Sequence, residues 1–327
     1  MLKFLKKHRF YIITLIVAIV VLNLHVPYYV VAPGGTIDIG SRIKIDDEEK
    51  INGSLNLLYV SEYDGTVATL LVGFIMPNWD IHEIEDIQVA DEDYNDIYER
   101  NRIMLDNAND NAIYVAYTKA GKEIEVTDRK TVVLVTTSSH DGSLKVGDEI
   151  LKASGIEIEN VNQLKEIIRS KEVGDNIKLE IIRDDETMNV STTIKEENGQ
   201  KVIGAVIITD YDYEFSPSIQ LEFKSSESGS SGGLMTAIGI YDALVSEDIV
   251  NGRKIAGTGT IEVDGTVGEI DGIKYKIMGA HKNKVDLVLV PVANYEEAMK
   301  VNDEYNYGLK IVSVKTFDDA IAYLTSN

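Results

Sequence analysis

Residues 10–31 form an apolar stretch of about 22 residues, weakened toward its far end only by Asn23 and His25. A run of that length predicts a helix able to cross a bilayer, with Tyr28 and Tyr29 suited to the interface. Residues 55–61 and 67–74 alternate like strands and predict a small β region. Residues 97–117 carry an apolar stripe at helical spacing that includes Ile97, Met104, Ala108, Ala112 and Val115, and Gly121 closes it. Strands are predicted at 131–136, 177–183 and 188–194, the last two paired around Asp184-Asp185, with a helix at 161–170 between the first and second. Farther on, 202–209, 218–223, 285–291 and 309–314 read as strands, and Asp264-Gly265 marks a hairpin between 260–263 and 266–270. Helical periodicity returns at 234–245, 271–280, 295–301 and 317–324. The fold class is therefore α+β and multi-domain, with an N-terminal transmembrane helix.

Charge refines this picture. The 327 residues carry a formal net charge of −22, which argues against nucleic-acid binding. With no cysteine, disulfides, a thiol nucleophile and cysteine-ligated metal are excluded. Lys3, Lys6, Lys7 and Arg9 cluster ahead of the apolar stretch. Positive flanks stay inside, so the expectation is a single-pass protein of the cell membrane, its N-terminus cytoplasmic and the remainder extracytoplasmic. The competing reading is a cleavable leader ending at Val30-Val31-Ala32, against which Pro33 follows directly. Asp91-Glu92-Asp93-Tyr94-Asn95 imitates the start of a calcium loop, but Asp96 stands where glycine is required and Arg102 where the closing glutamate belongs.

Candidate chemistry lies in two stretches. Residues 225–235 place serines in a glycine-rich turn between the strand at 218–223 and the helix at 234–245. A hydroxyl there faces free N–H groups and the positive end of a helix dipole, which suits a nucleophile and equally suits a plain N-cap. The second stretch, Asp271-Gly272-Ile273-Lys274-Tyr275-Lys276-Ile277-Met278-Gly279-Ala280, reads as a helix capped by Asp271. Its apolar stripe of Ile273, Ile277 and Ala280 also holds Lys276, whereas Lys274 points toward the solvent side. Burial would lower the pKa of such a lysine and make it a general base; a snorkelling cation is the alternative.

Together these stretches resemble the proteolytic domain of the Lon family, over about residues 203–327. Gly229-Ser230-Ser231-Gly232-Gly233 is similar to the family's Gly-Pro-Ser-Ala-Gly turn, with Ser230 in place of proline and Gly232 in place of alanine. Asp271-Gly272-Ile273-Lys274-Tyr275-Lys276 is similar to its Gly-Gly-Leu-Lys-Glu-Lys helix start, and residues 255–261 to its Met-Thr-Gly-Glu segment. The resemblance implies a Ser231–Lys276 dyad, with Thr258 orienting the lysine and Gly229, Ser230 and Gly232 shaping the turn. Ser143-Leu144-Lys145-Val146-Gly147-Asp148-Glu149-Ile150 resembles a segment of PDZ domains from bacterial proteases. That implies a peptide groove between strand and helix.

The remaining inventory narrows the options. No His-Glu-x-x-His occurs, so a zinc peptidase is not expected, and neither metal nor cofactor is implied. A Ser-His-Asp triad would have to use His281, which lies well round its helix from Lys276. No Gly-x-x-x-x-Gly-Lys-Ser/Thr loop occurs, so no ATP-driven unfolding module is expected. The expected organisation is a basic tip and anchor at 1–33, a β-rich region plus helix at 34–125, a PDZ-like domain at 126–198 and a Lon-like proteolytic α/β domain at 199–327. The expected function is an ATP-independent serine endopeptidase, anchored through residues 10–31 and acting on peptides or flexible protein segments outside the cytoplasm, with homo-oligomerisation left open. The alternative is a non-catalytic anchored protein that binds peptides in the PDZ-like groove.

Overall fold

The computed structural model describes residues 2–45 and 52–326. The chain opens with α1 (Leu2–Leu22), β1 (His25–Asp38), β2 (Ile43–Ile45) and β3 (Ser54–Thr66), then α2 (Val67–Ile75), β4 (Asp80–Glu83) and the long α3 (Tyr94–Ala120). The middle comprises β5 (Glu123–Thr136), β6 (Glu149–Ala153), β7 (Ile156–Glu157), α4 (Val161–Arg169), β8 (Asn176–Arg183) and β9 (Glu186–Thr193). Next come β10 (Lys195–Glu197), β11 (Gln200–Val202), β12 (Ala205–Ser216), β13 (Ile219–Leu221) and α5 (Gly233–Leu244). The last part is β14 (Lys254–Gly257), β15 (Thr260–Ile261), β16 (Val267–Gly268), α6 (Ile273–Lys282), β17 (Leu287–Pro291), α7 (Val292–Glu304), β18 (Ile311–Val314) and α8 (Phe317–Ser326).

The expected membrane span at 10–31 is not formed, and the single-pass cell-membrane placement built on it falls with it. Among the described residues no helix is long and apolar enough to cross a membrane. α1 ends at Leu22, so its apolar part is about 13 residues, or roughly 20 Å, against a hydrocarbon core of about 30 Å. Asn23 turns its side-chain amide onto the carbonyl of Ile19, and Pro27 has no N–H to continue a helix. Beyond this point the β-branched and aromatic residues enter a sheet: β1 pairs antiparallel with β3, and Val30 and Val31 are buried in it. The leader-cleavage position at 30–32 lies within the same buried strand. The side chains of Lys3 and Lys6 lie outside the described residues.

The larger sheet runs β18-β17-β14-β3-β1-β4. Its β3, β14, β17 and β18 are mutually parallel, while β1 and β4 extend it antiparallel. Leu287 and Leu289 of β17 face a layer made by α3, α5 and α8, and Val288 and Val290 face α6 and α7. Burial on both faces explains the continuous apolar run of that strand. The region expected at 34–125 as a separate β unit thus supplies β1 and β3 to the sheet of the C-terminal part. Residues 67–74 form a helix, not a strand, because Thr66 and Thr69 make a reciprocal capping box at its start. β1 approaches β3 so closely that a Cβ on Gly34 would sit 2.0 Å from the carbonyl oxygen of Tyr59. Gly34→Ala should therefore destabilise the fold by about 3 kcal/mol, read as a lower urea midpoint.

The second sheet runs β12-β5-β6-β8-β9 with β7 against β6. Its core contains Val133, Ile150, Leu164, Ile168, Ile177 and Ile181. Asp148, fully buried, pairs with Arg183 at 2.6 Å and accepts from the Lys145 N–H at 2.8 Å, which gives the Gly147-Asp148 segment a structural reason. β12 pairs along its whole length with β5, so this sheet extends to Ser216, beyond the expected boundary at 198. α3 lies between the two parts, packed on α5 on one side and on β5 and β12 on the other.

Candidate active site

β14 ends at Gly257, and the segment that follows meets the serine turn. Thr258 is fixed to the sheet by its N–H donating to the Leu289 carbonyl at 3.1 Å. The carbonyl of Ser231 accepts from the Gly259 N–H at 2.8 Å and from the Thr258 hydroxyl at 3.0 Å. In return the Leu234 N–H donates to the Gly259 carbonyl at 3.0 Å. The turn is held from both directions, and Gly233 permits it: a Cβ there would lie 2.8 Å from Ile261 Cγ2. Ser230–Gly232 form a short 3-10 turn leading into α5, and Gly229 precedes it at φ 85°, a conformation that favours glycine. The N–H of Gly229 donates to the Asn101 carbonyl of α3 at 3.0 Å.

Lys276 projects from α6 into the same place. It is 3% exposed, and its Nζ donates to the Thr258 hydroxyl at 3.2 Å. Thr258 thus accepts from the lysine while donating to Ser231, and this is how the structure brings the three residues together. Among the described residues Ser231 and Lys276 share no direct side-chain hydrogen bond. Burial pushes the Lys276 pKa down to about 8, against the opposing pull of the nearby Asp271 and Glu62 carboxylates. Among the described residues the Lys276 Nζ makes one hydrogen bond, to Thr258, although an ammonium offers three donors.

Other expectations about this helix change. α6 starts after Gly272, at φ 70° with no side-chain cap, so Asp271 is not its cap. Lys274 does not extend freely into solvent; it pairs with Asp80 of β4 at 2.5 Å, and the Tyr275 hydroxyl donates to the same carboxylate at 2.6 Å. Met278 is buried together with Ile277 and Ala280. His281 stacks on Tyr307 with ring centroids 4.0 Å apart. No cluster of side chains that could hold a metal occurs among the described residues.

Sequence reasoning missed three participants. Glu62, on β3, and Asp271 are close enough to Lys276 to oppose the drop in its pKa. Asn111, at a buried position of α3, donates to the Ile261 carbonyl at 3.1 Å, and a polar residue at helical spacing on the stripe between Ala108 and Val115 was the available signal.

A family model for the Lon protease (S16) C-terminal proteolytic domain matches residues 225–326, and a PDZ domain model matches residues 105–194. The Lon protease of Fusobacterium nucleatum is 30% identical over 113 residues, covering 34% of this chain and 14% of that protein. The Lon protease of Campylobacter concisus is 25% identical over 210 residues, covering 61% of this chain and 25% of that protein. The chain therefore spans a quarter or less of the length of these relatives. Among solved structures, the PDZ domain of an SdrC-like protein from Listeria monocytogenes is 22% identical, covers 25% of this chain and 92% of that one, and has a TM-score of 0.24. The C-terminal third of the chain is thus similar to a Lon-type proteolytic domain and its middle to a PDZ domain.

Proposed function

We propose that the chain is a serine endopeptidase in which Ser231 is the nucleophile and Lys276 the general base. The observation that carries this reading is a buried lysine joined through Thr258 to Ser231, within residues that match a Lon proteolytic domain. Neutral Lys276 takes the proton of Ser231 Oγ as that oxygen attacks the scissile carbonyl. The N–H groups of the 230–232 turn stabilise the oxyanion. The ammonium then returns its proton to the leaving amine, and the acyl-enzyme is released by a water that the same amine activates. β14 stops at Gly257 while β3 runs on past it, so the β14-side edge of β3 beyond Leu57 has no partner from β14 and would be where an extended substrate pairs.

The PDZ part supports a role in holding flexible segments, because β12 is an edge strand with α4 beside it. The test is digestion of a diverse peptide mixture without nucleotide, read by mass spectrometry, with Ser231→Ala as control. New cleavage products from the native chain alone support the reading. Peptide binding without cleavage would favour the non-catalytic alternative. Thr258→Val keeps the shape of the side chain and removes the hydroxyl that links lysine and serine. It should lower kcat about tenfold or more with little change in KM, as expected for a lost hydrogen bond to a reacting group.

A further inference from the structure

A cleft of about 700 Å³ opens in the PDZ part, on the β6 side of β5, opposite the edge that pairs with β12. Its origin is a divergence of strands. β5 and β6 share only the pair Val132↔Glu149, whereas β6 is paired with β8 from that same Glu149 to Ala153. The β6-side edge of β5 ahead of Val132 therefore has no strand partner among the described residues, whereas its other edge is paired with β12 throughout. An unpaired edge of this kind is a template for an added strand.

Two independent features say what would lie there. Thr131, 1% exposed, lines the cleft, and its hydroxyl has no hydrogen-bond partner among the described residues. A buried hydroxyl without a partner is costly and is satisfied when a polar group arrives. The rim is strongly anionic, with Asp128, Glu149, Glu157, Glu159 and Glu180. Of the basic residues lining it, Lys152 is paired with Glu180 at 2.8 Å, and Arg129 turns its guanidinium over Tyr211 of β12 at 6.0 Å. Lys152 also lies opposite Glu157 across β6 and β7, so Asp128, Glu149 and Glu159 are the lining carboxylates without a lining base. Glu149 is pushed above the usual carboxylate range by burial, with Asp128 and Asp212 adding to the rise and Lys130 opposing it. A basic side chain is the complement of such a carboxylate rim.

We propose that this cleft is a second peptide-docking site, separate from the strand–helix groove, that takes an extended segment carrying lysine or arginine as an added strand on the free edge of β5. The segment's backbone pairs with β5 and reaches the Thr131 hydroxyl, and its basic side chain meets the carboxylate rim. Blocked ends suffice, because nothing here requires a free terminal carboxylate.

The test is fluorescence anisotropy with the full chain carrying Ser231→Ala, and a labelled, acetylated and amidated peptide of sequence Thr-Val-Lys-Val-Lys-Val-Thr. The expected result is binding that weakens at least about tenfold when both lysines are glutamates, and by a similar factor in the triple variant Glu149→Gln, Glu157→Gln, Glu159→Gln. Thr131→Val should weaken binding about fivefold while raising the thermal midpoint, a combination that a purely structural threonine would not produce. No binding, equal binding of the glutamate peptide, or binding unaffected by the triple variant but lost on Val206→Arg in β12 would overturn the proposal.

Discussion

Lys276→Ala should abolish peptide hydrolysis, by on the order of 10⁴-fold, while Lys274→Ala keeps most of it. Both lysines sit on α6, two residues apart, and their surroundings separate them. Lys276 is 3% exposed and bonded to Thr258, at the serine turn. Lys274 is part-exposed and paired with Asp80, on the side of the β4 strand. Removing Lys274 leaves a solvent-accessible carboxylate, worth about 1 kcal/mol at most. Removing Lys276 leaves no group to take the Ser231 proton. The variant should remain folded, since the loss of a buried amine with few hydrogen bonds offsets part of the cavity left behind. Ser231→Ala should be as damaging, and the double variant no worse than either single one, because nucleophile and base act as a unit. His281→Ala should leave the rate nearly unchanged, as its ring is engaged with Tyr307. Comparing kcat/KM for these five variants with the native chain on one cleavable peptide checks all of this.

The second large effect is on pH. The base works only as the neutral amine, and burial brings the Lys276 pKa down to about 8. The kcat/KM should therefore climb about tenfold per pH unit below that value and level off above it, well before the roughly 10.4 of a free lysine. Asp271 and Glu62 pull in the opposite direction, since a carboxylate favours the ammonium form. Glu62→Gln or Asp271→Asn should then move the rising limb to lower pH, giving more activity under mildly acidic conditions. A limb that stays in place or moves upward in both variants would show that these carboxylates do not act on the catalytic base.

What the sequence made legible was local. The stripe Ile273, Ile277 and Ala280 marks the buried face of α6, and a lysine at position 276 on that face stands out because a charge there is costly. The Asp184-Asp185 turn is readable because both residues take positive φ, 51° and 63°, as a tight hairpin demands. The illegible parts depend on distant partners. The apolar stretch at 10–31 has the composition of a bilayer span, and only the ladder from β1 to β3 shows that its second half belongs to a sheet. β3 in turn pairs with β14, about 200 residues away, which no local pattern reports. The alternation at 67–74 concealed a helix whose signal was the Thr66 and Thr69 capping box. The support of Gly229 by the Asn101 carbonyl rests on a main-chain group and leaves no trace in residue type.

The most direct measurement is to find which residue acts as the nucleophile. The full chain is incubated above pH 8 with a peptidyl diphenyl phosphonate, a serine-directed reagent that leaves a stable adduct, and is then digested and mapped by tandem mass spectrometry. The account predicts a single adduct on Ser231, formed more slowly as pH falls below about 8 and absent in Lys276→Ala. An adduct on another serine, or one on Ser231 at an undiminished rate in Lys276→Ala, would contradict it.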